Sequence, residues 1–186
     1  MQIIVINGMP RAGKDAFVSL CQKHLLWCGN FSTVDFVKEI AAKCGWDGTK
    51  TPHNRKFLSD LKDLLTEWND VPFHKIELEI MCYEKQAEAY DFSSDDVLCF
   101  VHCREPWEIQ KFVDILGAKT LLIRRPEIEE NQQSNHADAE VFNYEYDYTI
   151  DNCGSLAQLE LLAVSFLKQL GYKNLRKNQK NDIIKE

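Results

Sequence analysis

The chain has 186 residues, 45% of them apolar and 27% charged, enough for one domain with a sizeable core and incompatible with wholesale disorder. Its net charge of −7 lacks the broad basic surface that general nucleic-acid binding needs, so neither DNA nor RNA is an expected partner. Seven cysteines, at positions 21, 28, 44, 82, 99, 103 and 153, form no C-x-x-C pair, and their odd number and scatter fit reduced core thiols better than disulfides or zinc ligands.

The opening run Ile3 to Ile6 reads as a short buried strand. It is too short for a membrane span or a secretory h-region and has no basic segment before it, so a cytoplasmic location without a membrane partner is expected. Directly after it comes Gly8-Met9-Pro10-Arg11-Ala12-Gly13-Lys14-Asp15. Glycines at the two ends of a six-residue span let the backbone curl so that N–H groups point inward, and Lys14 then reaches phosphate oxygens at the positive end of a helix. The alternative is a tight turn with a surface lysine. Context favours the phosphate loop, because a strand precedes it and Phe17, Leu20, Cys21, His24 and Cys28 follow at roughly helical spacing. Gly8, Pro10, Arg11, Ala12, Gly13, Lys14, Asp15 and Ala16 are therefore the candidate nucleotide-binding residues. Asp15 stands where a Ser or Thr usually ligates Mg²⁺, so its carboxylate must take over that role or act through water.

Phe31 to Asp35 is expected as the second strand and Phe36 to Cys44 as a helix ending at Gly45. Phe57, Leu58, Leu61, Leu64, Leu65 and Trp68 then recur at helical spacing, and Pro72 opens a helix carrying Phe73, Ile76, Ile80, Tyr83 and Ala87. Val97 to His102 reads as a buried parallel strand, followed by a helix with Pro106 in its first turn and Gly117 past its end. Ile109, Phe112, Val113 and Leu116 would face the sheet. Lys119 to Ile123 is the next strand, 124–143 a long polar stretch, and Tyr146 to Ile150 the last strand. Ser155 and Gln158 make a capping-box pattern ahead of Leu156, Leu159, Leu162, Ala163, Phe166 and Leu170. The tail, 173–186, is polar, basic and expected to be loosely ordered.

This alternation predicts a three-layer α/β/α fold with a mostly parallel five-stranded sheet in a single domain, 1–172. Two interruptions stand out: the helical pair in 45–90, where a phosphate-loop kinase holds its acceptor, and 124–143, where such an enzyme carries a lid. A lid keeps water from intercepting the phosphoryl group and brings cations onto the developing charge. Arg104, at the carboxyl edge of a central strand, is placed for an acceptor phosphate. Arg124 and Arg125 lead into the lid segment and can neutralise a transferring phosphoryl group, or are simply a solvated pair of charges. The aromatic set Trp46, Trp68, Tyr144, Tyr146 and Tyr148 reads as packing rather than a base-stacking platform.

The sequence resembles the P-loop deoxynucleoside monophosphate kinases of the bacteriophage type and, in a second branch with the same layout, the animal-type phosphomevalonate kinases. Both carry a G-x-x-x-x-G-K-D loop, matched by Gly8 to Asp15. Further matches are Asp35-Phe36-Val37-Lys38-Glu39, the Arg55 to Trp68 helix, Cys103-Arg104-Glu105 to Phe112, and Asn135 to Glu140 running on to Tyr148 through Leu156. The resemblance covers nearly the whole chain to about Leu170. It implies ATP and Mg²⁺ as cofactors, Asp15 as the metal-side residue, and Lys14, Arg104 and Arg124 at the transferring phosphoryl group. Asp35, Lys38, Arg55 and Arg104 correspond to the acceptor site, and His136 and Asp138 to the lid exit. One departure is His102, where these kinases usually carry an aspartate that helps hold Mg²⁺ through water. A neutral imidazole is a poor ligand for so hard an ion, so His102 either hydrogen-bonds a phosphate or Asp15, or is satisfied locally at a strand end.

The expected activity is ATP-dependent transfer of the γ-phosphoryl group to a small phosphate monoester, most naturally a (deoxy)nucleoside monophosphate. The alternatives are a phosphomevalonate kinase-like enzyme and a nucleotide-binding regulator without transfer. The oligomeric state stays open.

Overall fold

The computed structural model describes residues 1–129 and 140–176. His136 and Asp138, half of the expected lid and the end of the tail lie outside them. Five strands, β1 (Gln2–Asn7), β2 (Cys28–Ser32), β3 (Leu98–His102), β4 (Lys119–Arg124) and β5 (Tyr148–Asp151), form one sheet in the order β2-β3-β1-β4-β5. Every pairing is parallel, so among the described residues the expected mostly parallel sheet is wholly so. Among the described residues seven helices flank it: α1 (Lys14–His24), α2 (Asp35–Lys43), α3 (Pro52–Asn69), α4 (Val71–Ala89), α5 (Pro106–Leu116), the short α6 (Pro126–Glu129) and α7 (Leu156–Gln169).

The period-2 alternation of β1 divides the interior. Ile4 and Ile6 face a core with Phe17, Phe100, Leu121, Ile123 and Phe166, under α1 and α7. Ile3 and Val5 face the opposite core, with Val101, Phe73, Ile76, Ile80, Ile109 and Phe112, under α4 and α5. Both faces of a parallel sheet are thus covered, which is why its strands read as unbroken apolar runs. Local signals end the helices as expected. Pro106 opens α5 and Gly117 closes it at φ 62°, while Ser155 and Gln158 cap α7 with two reciprocal hydrogen bonds.

Five expectations need correction. The second strand is Cys28–Ser32 rather than Phe31 to Asp35, and Cys28 belongs to it and not to α1. The last strand starts at Tyr148, two residues later than expected. The apolar stripe of α3 is not core: none of its residues is fully buried, and Leu64 and Trp68 are 62% and 81% exposed, because α3 packs on α2 and α4. The cysteines also divide, with Cys21, Cys28, Cys99 and Cys103 buried but Cys44, Cys82 and Cys153 at the surface. On α7, Leu156 and Leu162 likewise face outward.

The helical pair is nevertheless anchored. Lys62 of α3 reaches Glu108 at the start of α5 at 2.6 Å, and the Cys103 thiol donates to the same carboxylate oxygen at 3.0 Å. Glu108 is only 2% exposed and Lys62 15%, so this is a buried ion pair joining the insertion to the turn after β3. Residues 173–176 follow α7 onto the surface of α1. There His24 contacts the Arg176 carbonyl through Nδ1 at 3.0 Å and Glu160 through Nε2 at 2.8 Å.

Candidate active site

The loop between β1 and α1 is shaped by its two glycines. Gly8 has φ 149° and Gly13 φ 100°, and a side chain at either would collide, with the Ile123 carbonyl in one case and the Asn152 amide in the other. At Gly8 the obstacle is backbone, at Gly13 it is the end of the Asn152 side chain, and at both the positive φ strains any residue but glycine. Arg11 also takes a left-handed conformation, φ 66°, with its side chain exposed on the outside of the curl. The Ala12 amide closes a turn onto the Met9 carbonyl at 3.1 Å, and α1 begins when the Phe17 amide reaches Gly13. The first-turn amides of an α-helix have no carbonyl partner within the helix, so Lys14, Asp15 and Ala16 bring N–H groups to the mouth of the loop. Lys14 Nζ lies back across the loop, donating to the carbonyls of Gly8 at 2.5 Å and Met9 at 3.0 Å. Its ammonium is thereby held over the cradle in which an anion would sit.

Two asparagines fix this geometry, and neither was assigned a role from the sequence. Asn7, fully buried at the end of β1, accepts from the Gly8 amide at 2.8 Å and donates to the Arg104 carbonyl at 3.2 Å and the Tyr146 hydroxyl at 2.8 Å. Tyr146 in turn donates to the Val141 carbonyl at 2.9 Å. One side chain therefore ties together the ends of β1 and β3 and the approach to β5. Asn152, just past β5, donates to the buried Ala12 carbonyl at 2.8 Å and packs against Gly13. A buried asparagine between an apolar strand and a glycine was the available signal for Asn7. For Asn152 the partner is 140 residues away in sequence, and no local pattern reports it.

His102 ends β3, in register with Ile6 on one side and Ser32 on the other. Its Nε2 is buried without a hydrogen-bond partner and lies 3.9 Å from Asp15 Oδ1, beyond hydrogen-bond reach. Burial holds the imidazole pKa below its ordinary value; Asp15 and Asp35 oppose that shift, whereas Lys14 and Arg104 reinforce it. The Asp15 side chain is 94% exposed and is free to turn.

Four of the remaining candidates lie at this carboxyl edge of the sheet. Arg104 follows β3 with an exposed side chain. Asp35 and Lys38, on the first turn of α2, pair with each other at 2.7 Å. Arg124 ends β4 and is bound by Glu129 of α6 at 2.8 Å, which raises its pKa, and its guanidinium lies 5.8 Å from the Phe142 ring. Arg125 pairs with Glu127 at 3.8 Å. Arg55 is exposed on the first turn of α3, and no contact brings it to the loop. Of the aromatic set, Tyr148 packs edge-on against Phe166 and Tyr144 against Tyr146, whereas Trp68 stands largely in solvent with no ring contact among the described residues.

A loop that only glycines can form, with a lysine over it and a helix start beneath, fits a polyphosphate. Asp15 fits the metal side of such a ligand, whereas His102 does not reproduce the usual carboxylate. Among the described residues no cluster of three or more metal-ligating side chains exists and no helix is long and apolar enough to cross a membrane.

No protein-family model matches the chain, and no curated protein does. Among solved structures it is similar to a dephospho-CoA kinase from Campylobacter jejuni, at 14% identity and a TM-score of 0.46 over 91% of this chain and 97% of that one. It is also similar to shikimate kinases from Aquifex aeolicus (12% identity, TM-score 0.44, covering 91% and 100%) and Bacteroides thetaiotaomicron (15%, 0.42, covering 92% and 99%).

Proposed function

We propose that the chain is an ATP-dependent kinase that passes the γ-phosphoryl group to a small phosphate monoester, with (deoxy)nucleoside monophosphates as the acceptor class. The observation that carries this reading is the loop itself. Gly8 and Gly13 occupy positions closed to any side chain, and Lys14 lies across the cradle they form. ATP would rest in the loop from Gly8 to Ala16 against the first-turn amides of Lys14, Asp15 and Ala16, and Mg²⁺ held through Asp15 would supply charge neutralisation at its phosphates.

The chain's own residues would do the rest. Lys14 binds the phosphates between which the bond breaks, and Arg104 grips the acceptor phosphate with its planar fork. Arg124 leaves Glu129 for the transferring group when the segment after β4 closes over the site and excludes water. Asp35, Lys38 and Arg55 bind the acceptor, with Asp35 accepting from a hydroxyl and the two cations facing its anionic groups. A phosphate acceptor is already a nucleophile, so catalysis rests on positioning and charge rather than on a strong general base.

The test is ADP release from ATP across a panel of nucleoside monophosphates, with phosphomevalonate included because Lys38 and Arg55 suit either acceptor. Turnover that requires an acceptor and disappears in Lys14→Ala supports the kinase. ATP hydrolysis that ignores every acceptor and survives Lys14→Ala refutes it. Tight ATP binding without turnover on any acceptor identifies a nucleotide-binding regulator instead.

A further inference from the structure

At the mouth of the loop, the His102 imidazole nitrogen is buried without a partner and faces an exposed carboxylate. A buried polar atom left unpaired costs free energy, and surrounding residues normally satisfy it. Nothing satisfies Nε2, although Asp15 Oδ1 lies 3.9 Å away. That separation is too long for a hydrogen bond and falls between the two spacings that ligands of one octahedral ion adopt, so a small turn of Asp15 brings the pair to a shared cation. Donor atoms each about 2.1 Å from a shared cation stand about 3.0 Å apart at right angles and about 4.2 Å apart on opposite sides. The Asp15 side chain is mobile enough to adjust, being 94% exposed. A neutral imidazole nitrogen is a weak ligand for Mg²⁺ and a good one for borderline divalent ions.

We infer that His102 Nε2 and Asp15 form a cation site at the mouth of the Gly8 to Lys14 loop that selects a first-row transition-metal ion such as Mn²⁺, which accepts a nitrogen ligand more readily than Mg²⁺ does, with His102 as a direct ligand. The inference rests on the proposed nucleotide site, because phosphate oxygens and water must complete the coordination of a pair that is too small to hold an ion alone. His102 thereby sets metal preference at a position where a carboxylate would favour Mg²⁺. His102→Asp reverses that preference.

The test uses the full chain with ADP and either Mn²⁺ or Mg²⁺. Pulsed electron paramagnetic resonance of the Mn²⁺·ADP complex should show the ¹⁴N coupling of a coordinated imidazole in the unaltered protein and lose it in His102→Gln. The ratio of ADP affinity with Mn²⁺ to that with Mg²⁺ should fall at least about tenfold in that variant. Binding of Mn²⁺·ADP without an imidazole coupling overturns the cation assignment and leaves the nucleotide site standing. Failure to bind ADP with either ion overturns the nucleotide site and the inference with it. The spectrum of the unaltered protein decides the matter even if the variant misfolds.

Discussion

Replacing Lys62 by Met leaves the Glu108 carboxylate 2% exposed with only the Cys103 thiol as a donor. Stripping one partner from a buried ion pair costs about 3–5 kcal/mol, because the remaining charge stays out of water without compensation. For a domain of this size, each kcal/mol lowers Tm by about 2–4 °C, so Lys62→Met should melt roughly 6–20 °C below the parent. The double variant Lys62→Met/Glu108→Leu removes both charges at once. It should recover most of the loss, since a buried pair exchanged for apolar side chains of similar volume is often neutral or stabilising. Thermal melts and urea titrations of the parent, both single variants and the double variant form a cycle whose coupling energy should exceed about 2 kcal/mol. A loss below about 1 kcal/mol in Lys62→Met, or strictly additive single effects, would show that water reaches Glu108 and that α3 is not pinned to α5 by charge.

Other outcomes follow from the loop and its surroundings. Asn152→Ala strands the buried Ala12 carbonyl and should cost about 1–3 kcal/mol in urea unfolding, while an unchanged midpoint would show that the clamp is idle. Gly8→Ala should abolish the native fold through collision with the Ile123 carbonyl, whereas Gly48→Ala meets open space and carries only the strain of φ 85°, as melts of the two should show. A thiol reagent should modify Cys44, Cys82 and Cys153 in the native protein and the four buried cysteines only on unfolding. Burial pushes the Tyr83 and Tyr146 phenols up to about 12, above an unfolded value of about 10. The folded chain therefore holds more protons than the unfolded one in that interval, and stability should fall as pH rises from about 10 to 12, in step with phenolate absorbance at 295 nm.

The strand, loop and first helix were legible from sequence because their signals are local: a β-branched run, two glycines at the ends of a six-residue span, and helical spacing behind them. The parallel sheet followed for the same reason, since each strand buried on both faces reads as an apolar run. β2 was misplaced because Gly29 and Asn30 interrupt its apolar character, while Cys28 falls in phase with α1. The α3 stripe has core-like periodicity, yet periodicity reports which residues share a face and not what covers it. Least visible were the supports of the candidate site. Asn7, Asn152, Tyr146 and the Lys62–Glu108 pair act across separations of 46 to 140 residues, which no window of sequence spans.

The Asn152 clamp has a consequence for biosynthesis. Synthesis delivers the glycine curl well over a hundred residues before the wall it leans on, Ile123, and the amide that fastens it, Asn152. The curl is thus among the last parts of the chain to be fastened into its final shape. Chains that stop short of residue 152 should therefore lack the fastened loop.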